Sequence, residues 1–419
     1  MKPAKGVFVL GGAHSVYIGR GAPGFVGKDH PDFGKVSNPS VEDHLRDAVL
    51  GAVNETGVDP SLIDKGYVGN FLGELFTKQG QMGALLPRVC PALDGKPFAR
   101  VDAACASGGI AVLACIDALM GSADICLAAG VEVETTVGSR DAADFMARAA
   151  HYASERAKDD FLFPHLFARR AKVYTEHYGV SRRDVALAVV KAYKNGQKNP
   201  KAHMRAASID LDTAAAVTSK NQFLSDVELR PHMTLSDCSQ LSDGASALIL
   251  ANETGLQKLG LSPSSVTEIT ATGCAVAGLG LPNDPLFLHN AARAAAEAYR
   301  DANIGPNDLS VAEVHDCFSI TEVQLYEALG FAERGKGTHL LKDGLTEING
   351  RLPVNTGGGL MSFGHPVGAT GVKQILEVHR QLMGKCGAYQ VPRALSVGMS
   401  ANIGGDDRTA VVVVQQSSG

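Results

Sequence analysis

The chain has 419 residues, 45% hydrophobic and 20% charged, with a formal net charge of -5. That length exceeds what one hydrophobic core fills, so two or three domains are expected, and the slightly acidic balance excludes a nucleic-acid footprint over the whole chain. No stretch approaches the ~20 apolar residues of a membrane-spanning helix, and eight cysteines without a CxxC pair exclude a small secreted disulfide scaffold and point to free thiols in a reducing compartment.

In chain order, the apolar run Val7–Leu10 suits a buried strand and is too short for a signal-peptide core. Residues 38–70 read as helix, Gly/Pro turn and short strand, with Ser40 capping and Asp43 three residues later as a capping-box variant. Leu45, Val49, Ala52 and Val53 follow helical spacing. Residues 98–120, FARVDAACASGGIAVLACIDALM, read as strand, small-residue turn and helix, with Cys115 and Cys126 in apolar, core-like contexts. Residues 134–235 are helical and rich in Arg169, Arg170, Lys172, Arg182, Arg183, Lys191, Lys194, Lys198 and Lys201, the best local basic patch for an anionic ligand or, residue by residue, a solvated helix surface. SDGASALIL (242–250) returns to turn and strand.

Residues 284–316 then repeat the pattern of 38–70: Pro39 matches Pro285, Pro60 matches Pro306, Ile63 matches Leu309 and Val68 matches Val314. In the second copy Leu288, Ala292, Ala295, Ala296 and Tyr299 mark the expected helix face. A duplicated α/β unit with mostly parallel sheets follows. A further echo pairs 98–120 with the strand–Gly turn–strand of 394–414. The expected division is a first half over 1–133, to which 236–259 returns, an inserted helical region over 134–235, and a second half over 260–419.

Three loops after expected strands carry chemistry. Cys105 lies where a strand ends and an Ala-rich helix begins; a helix N-terminus favours thiolate and lowers a cysteine pKa, although a buried structural cysteine fits the sequence as well. His365 sits in GGGLMSFGHPVGATG, a Gly-rich loop that lets backbone approach a ligand. VHDCF sets His315, Asp316 and Cys317 side by side at a strand-to-helix junction, open to a metal, a catalytic or a plain turn reading. A metal site is disfavoured, because the motif supplies at most three ligands where structural zinc takes four. A thiol nucleophile beside an imidazole base is a recognised pairing.

CASGG at Cys105, SDGASALIL, VHDCF and GHPVGATG stand in the order found in the thiolase superfamily, and the resemblance runs from about residue 5 to the C-terminus. VHDCF resembles the sterol-carrier-protein-2-type thiolases, with archaeal-type acetoacetyl-CoA thiolases close behind, where common thiolases carry an Asn-Glu-Ala-Phe block. Their second reactive cysteine, in a Cys-x-Gly block, is replaced here by Asn402. The resemblance implies an α/β thiolase fold, two βαβαβαββ halves in a five-layer αβαβα arrangement with an inserted loop domain. It also implies that Cys317 supplies the thiol lost at 402, and that His315 takes the place of the family's Asn.

By the same resemblance, Cys105 is the acyl-carrying nucleophile, His365 its base, and Cys317 the acid/base on the α-carbon. His315 and His365 stabilise the enolate oxygen, and the backbone N–H groups of Cys105 and Gly404 form a second oxyanion hole. Asp316 is expected to fix the motif and Phe318 to pack near the acyl or pantetheine group. Implied as well are cleavage of a 3-ketoacyl-CoA by CoA, coenzyme A and acyl-CoA as substrates with no bound cofactor or metal, and a homodimer or dimer of dimers. A biosynthetic acetyltransferase uses the same residues; a non-catalytic acyl-CoA-binding protein would be expected to have lost one. With no SKL-type tripeptide at the end of the chain, cytoplasm or mitochondrion is favoured over peroxisome. No appended lipid-carrier domain is expected after 419.

Overall fold

The computed structural model describes residues 1–417. Nine strands, β1 (Val7–His14), β2 (Lys65–Gly69), β3 (Phe98–Val101), β4 (Ile125–Glu132), β5 (Gly244–Asn252), β6 (Thr267–Val276), β7 (Val311–Val314), β8 (Val397–Gly404) and β9 (Thr409–Ser417), pair in the order β3-β2-β4-β5-β1-β6-β9-β8-β7. An isolated parallel bridge from Ala312 to Val354 continues this order past β7. The strand order is therefore palindromic about the antiparallel β1–β6 seam, as a two-fold rotation relating the halves requires, with Phe8 facing Glu268 and Val9 facing Thr267.

The sheet is mixed, not mostly parallel. β2 runs parallel to β3 and β4, and β7 to β8, but β5 and β9 return antiparallel to every neighbour. Sequence periodicity reads faces and not direction, so these return strands escape it.

Strand alternation builds the layers. On β1, Val7 and Val9 face one core while Phe8 and Leu10 face another; on β9, Val411 and Val413 face the first core while Val412 and Val414 face away. The shared core lies between the halves and holds two helices, α2 (Ser107–Leu119) and α7 (Thr370–Leu382), through Val112, Cys115, Ile116, Val372, Ile375 and Leu376. On one outer face α1 (Val41–Thr56) packs Leu45, Val49 and Ala52 on β1, β4 and β5. On the other, α5 (His289–Ala302) and α6 (Ser319–Ala328) cover the second half. The result is a five-layer αβαβα stack.

The repeat is visible in detail. Ser40 and Asp43 form a reciprocal capping box on α1, and the matched prolines each open a short 3₁₀ turn, Pro60–Leu62 and Pro306–Asp308, before β2 and β7. Two expectations shift. On α5 the buried face is Ala291, Ala294, Ala295 and Ala298, while Ala296 is exposed; a run of alanines lacks the polar contrast that would mark its face. The topological partner of 98–120 is the Val354 bridge with α7, not 394–414, because a one-residue bridge leaves no strand pattern to read.

Between β4 and β5 the chain forms α3 (Leu162–Tyr178) and α4 (Arg182–Gly196). Phe167, Tyr174, Val185 and Val189 pack them onto the core of the second half, with Phe167 stacked on Phe318 at 4.5 Å between ring centroids. Most of the expected basic patch is spent on internal pairs: Arg170 on Asp406, Arg182 on Asp237, Lys172 on Glu176, Lys191 on Glu322, Lys194 on Glu347. Arg169 and Lys198 stay exposed without an ion pair among the described residues.

Candidate active site

Cys105, His315 and Cys317 follow the C-terminal ends of parallel strands β3 and β7, the side of an α/β sheet where ligands bind. Cys105 sits on a sharp turn. Ala104, at φ 52°, adopts a left-handed conformation that costs a non-glycine residue ~1–2 kcal/mol. Asp102 holds the turn by accepting from Ala104 N–H at 2.8 Å, and Ser107 donates to the Ala104 carbonyl at 2.6 Å. From the second half Gly404 presses on the same turn: a Cβ there would lie 2.3 Å from the Ala103 carbonyl.

The Cys105 thiol is half-buried. Burial, then the neighbouring Glu134, pushes it up to about 12, against the opposing effect of hydrogen bonds from the backbone N–H of Gly405 and its own. The expected lowering at the helix N-terminus does not hold in the resting protein: desolvation of a thiolate outweighs the helix dipole.

The reactive atoms of Cys105, His315 and His365 all lie within 4.8 Å of one another. The two imidazoles are edge to face, 5.0 Å between centroids. His365 is held down to about 3 by burial and by Lys373, and His315 is also driven well down by burial, His365 and Lys373. Both rings are neutral near pH 7. Lys373 itself is buried and paired with buried Glu313 at 2.7 Å.

Cys317 is buried, its sulfur 3.7 Å from the Thr321 hydroxyl. Burial, and then its proximity to Cys105, raises its pKa far above the ordinary thiol value. Asp316 faces the loop that carries His365: its carboxylate accepts from Leu360 N–H at 2.7 Å, and burial pushes it up to about 7. Phe318 is buried and stacked on Phe167.

Several partners escaped sequence reasoning. Thr370 Oγ1 lies 2.7 Å from His365 Nδ1 and donates to the Pro366 carbonyl at 3.2 Å. With the hydroxyl proton on the Pro366 carbonyl, His365 Nδ1–H donates to Thr370 and Nε2 is the free acceptor. Ser242 Oγ accepts from His365 N–H at 3.2 Å and is bonded in turn by His203 at 2.8 Å. Glu134 accepts from Val367 N–H at 2.9 Å and Ser242 N–H at 3.2 Å, tying the two loops together. Thr370 and Ser242 lie inside GHPVGATG and SDGASALIL, whose Gly-rich and turn character was the signal. Asn402, noted only for the cysteine it replaces, donates through Nδ2 to the Cys105 carbonyl and meets His315 Nδ1, each at 3.0 Å.

Family models match both halves, "Thiolase, N-terminal domain" over residues 29–254 and "Thiolase C-terminal domain-like" over 279–417. An acetyl-CoA acetyltransferase of Methanothermobacter thermautotrophicus is 36% identical over 92% of this chain and 97% of the relative. Human sterol carrier protein 2 is 28% identical over 95% of this chain and 70% of the relative. Among solved structures, an Ltp2–ChsH2(DUF35) aldolase superposes with a TM-score of 0.76 at 21% identity over 100% of this chain and 99% of that one. The Acat5 thiolase of Ascaris suum in complex with coenzyme A does so at 0.70 and 16% over 99% and 100%. A paired thiol and imidazole at the strand ends of a duplicated fold, together with these matches over nearly the whole chain, establish that the protein belongs to the thiolase family, with relatives of the sterol-carrier-protein-2 type, and is an acyltransferase.

Proposed function

We propose that the protein cleaves 3-ketoacyl-CoA with CoA, giving an acyl-CoA shortened by acetyl-CoA, or by propionyl-CoA where the substrate is 2-methyl-branched. The observation that carries this is the meeting of Cys105, His315 and His365 within 4.8 Å, with Cys317 beside them. His365 Nε2 takes the Cys105 proton as the sulfur attacks the keto carbon. The bond between the α- and β-carbons breaks, its electron pair passing to the α-carbon as an enolate. Cys317 gives that carbon its proton. Free CoA thiol then displaces the acyl group from Cys105.

The enolate oxygen meets His315 and the protonated His365. The keto oxygen of the first adduct meets the backbone N–H groups of Cys105 and Gly404, with the Gly405 N–H close to the sulfur. Each such donor is worth on the order of 10²–10³ in rate. The chemistry calls for no metal or resident cofactor. In this reading the protein acts as a homodimer or dimer of dimers in a reducing compartment, with residues 134–235 as the loop domain between halves 1–133 and 260–419.

The name of the Methanothermobacter relative favours a second reading, condensation of two acetyl-CoA to acetoacetyl-CoA by the same residues in reverse. Both are tested by mixing the protein with CoA and 3-ketoacyl-CoA esters from acetoacetyl upward and following loss of the enolate absorbance. Preference for medium or long esters supports the degradative reading, and acetoacetyl-CoA alone the biosynthetic one. Binding of the esters without cleavage at any length defeats both and leaves a non-catalytic acyl-CoA binder.

A further inference from the structure

Asn402 is buried on β8, where a thiolase-type site would otherwise hold a reactive group, and the thiol exchange at Cys317 does not account for its contacts. Its amide is wedged between the two central helices. A Cβ on Gly109 of α2 would lie 3.0 Å, and one on Gly371 of α7 2.4 Å, from Asn402 Oδ1. Only glycine leaves room for it at these two positions.

The orientation of that amide follows from its partners. The Cys105 carbonyl only accepts, so the atom 3.0 Å from it is the NH₂ nitrogen; reversing the amide would set two oxygens face to face. The same nitrogen lies 3.0 Å from His315 Nδ1. An amide nitrogen cannot accept, so His315 Nδ1 carries the lone pair. Oδ1 has no hydrogen-bond partner among the described residues, so the whole polar engagement of this side chain is donation to these two acceptors.

We propose that Asn402 is a positioning residue that fixes the His315 proton on Nε2, making His315 a hydrogen-bond donor to the reacting oxygen while His365, locked the opposite way by Thr370, is a proton acceptor. The inference rests on the thiolase reading of the site, and it gives two neighbouring neutral imidazoles opposite polarities. It also bears on the metal question raised by the sequence. Three candidate ligands converge within 4.8 Å, yet one of the three lone pairs is turned away toward Asn402. Catalytic zinc takes three protein ligands and would find two.

The test is the ring nitrogen spectrum of His315 in ¹⁵N-histidine-labelled protein near pH 7, assigned by its loss in His315→Asn. Wild type is expected to show a protonated Nε2 and an unprotonated Nδ1. Asn402→Asp, which offers Nδ1 an acceptor, is expected to move the proton from Nε2 to Nδ1. In the same variant kcat is expected to fall about 10²-fold, the size of one lost oxyanion donor, with little change in KM. A wild-type proton on Nδ1 overturns the proposal, and that result stands even if the variant fails to fold. A folded Asn402→Asp that keeps the wild-type nitrogen pattern overturns it as well. The spectra need no turnover, so a failure of the catalytic reading appears in the ketoacyl-CoA assay and not here.

Discussion

Cys105 and His365 meet as a neutral thiol and a neutral imidazole, because each loses more by desolvation of its charged form than it gains from its surroundings. The thiol pushed up to about 12 predicts that alkylation of the free enzyme by iodoacetamide at Cys105 rises about tenfold per pH unit from 7 to 9, since thiolate is the reacting species. A plateau with a midpoint near 7 would show a preformed thiolate–imidazolium pair instead. Thr370→Val removes the acceptor of His365 Nδ1–H at 2.7 Å while keeping the side-chain shape. A hydrogen bond of this kind is worth ~1 kcal/mol, so kcat is expected to drop roughly five- to tenfold with the fold intact, and an unchanged kcat would deny Thr370 that part. Cys105, His315 and Cys317 were legible because rare side chains stood at strand ends, and His365 because it stood in a Gly-rich loop. Ser242 and Glu134 were not, since their work is hydrogen bonding across loops far apart in the chain, which spacing does not encode, while Thr370 lay within the same Gly-rich motif as its partner His365.

At the level of elements, the site depends on how closely α2 and α7 approach. A Cβ at Gly371 would lie 2.1 Å from the backbone nitrogen of Gly109, and one at Gly108 2.8 Å from that of Val372. Helix propensity alone makes Gly→Ala favourable by up to ~1 kcal/mol. Here the backbone clash decides the sign, since overpacking typically costs ~1–3 kcal/mol. Gly371→Ala is expected to lower the denaturation midpoint and to separate His365 from Cys105, seen as a joint loss of stability and activity; a variant as stable as wild type would show that the helices can part freely. The glycines were visible in CASGG and GHPVGATG as room for a ligand. That they also serve helix-to-helix contact required the topology, in which a two-fold-related pair of halves places the two motifs against each other.

For the whole molecule, buried ionisable groups of both signs shape the response to acid. His14, His44 and His203 are lowered to about 4, and His365 and His379 to about 3, all first by burial. The unfolded chain protonates them below about pH 6.5, so their contribution to stability falls as pH falls. Asp243 and Asp407 are raised to about 6, and Glu132 and Asp316 to about 7, again by burial. The folded chain keeps their protons where the unfolded chain has lost them, so their contribution falls as pH rises above about 4. Between about pH 4.5 and 6 the two sets oppose each other. Below about 4 these four carboxyls, and His14, His44 and His203, are protonated in both states, and the further loss comes from His365 and His379, lowered to about 3, and from Asp144, held down to about 2 by Arg156. The melting temperature is therefore expected to be nearly level from pH 6 to 5 and to fall steeply below 4; a steady decline from pH 6.5 downward would contradict this balance. Few of these groups could be picked out beforehand: the duplicated halves were readable from matched prolines and helix–turn–strand order, whereas burial of an individual histidine depends on the antiparallel return strands and on the inserted helices covering the second half.

The central claim is a division of labour between two thiols, Cys105 carrying the acyl group and Cys317 moving the α-proton. The most direct measurement incubates wild type and Cys317→Ala with acetyl-CoA in D₂O, following deuterium at the acetyl methyl and the mass of the Cys105 peptide. The account predicts acetylated Cys105 in both proteins, with deuterium exchange in wild type and none in the variant. Exchange at the wild-type rate in Cys317→Ala would assign the proton transfer to another group and contradict the account.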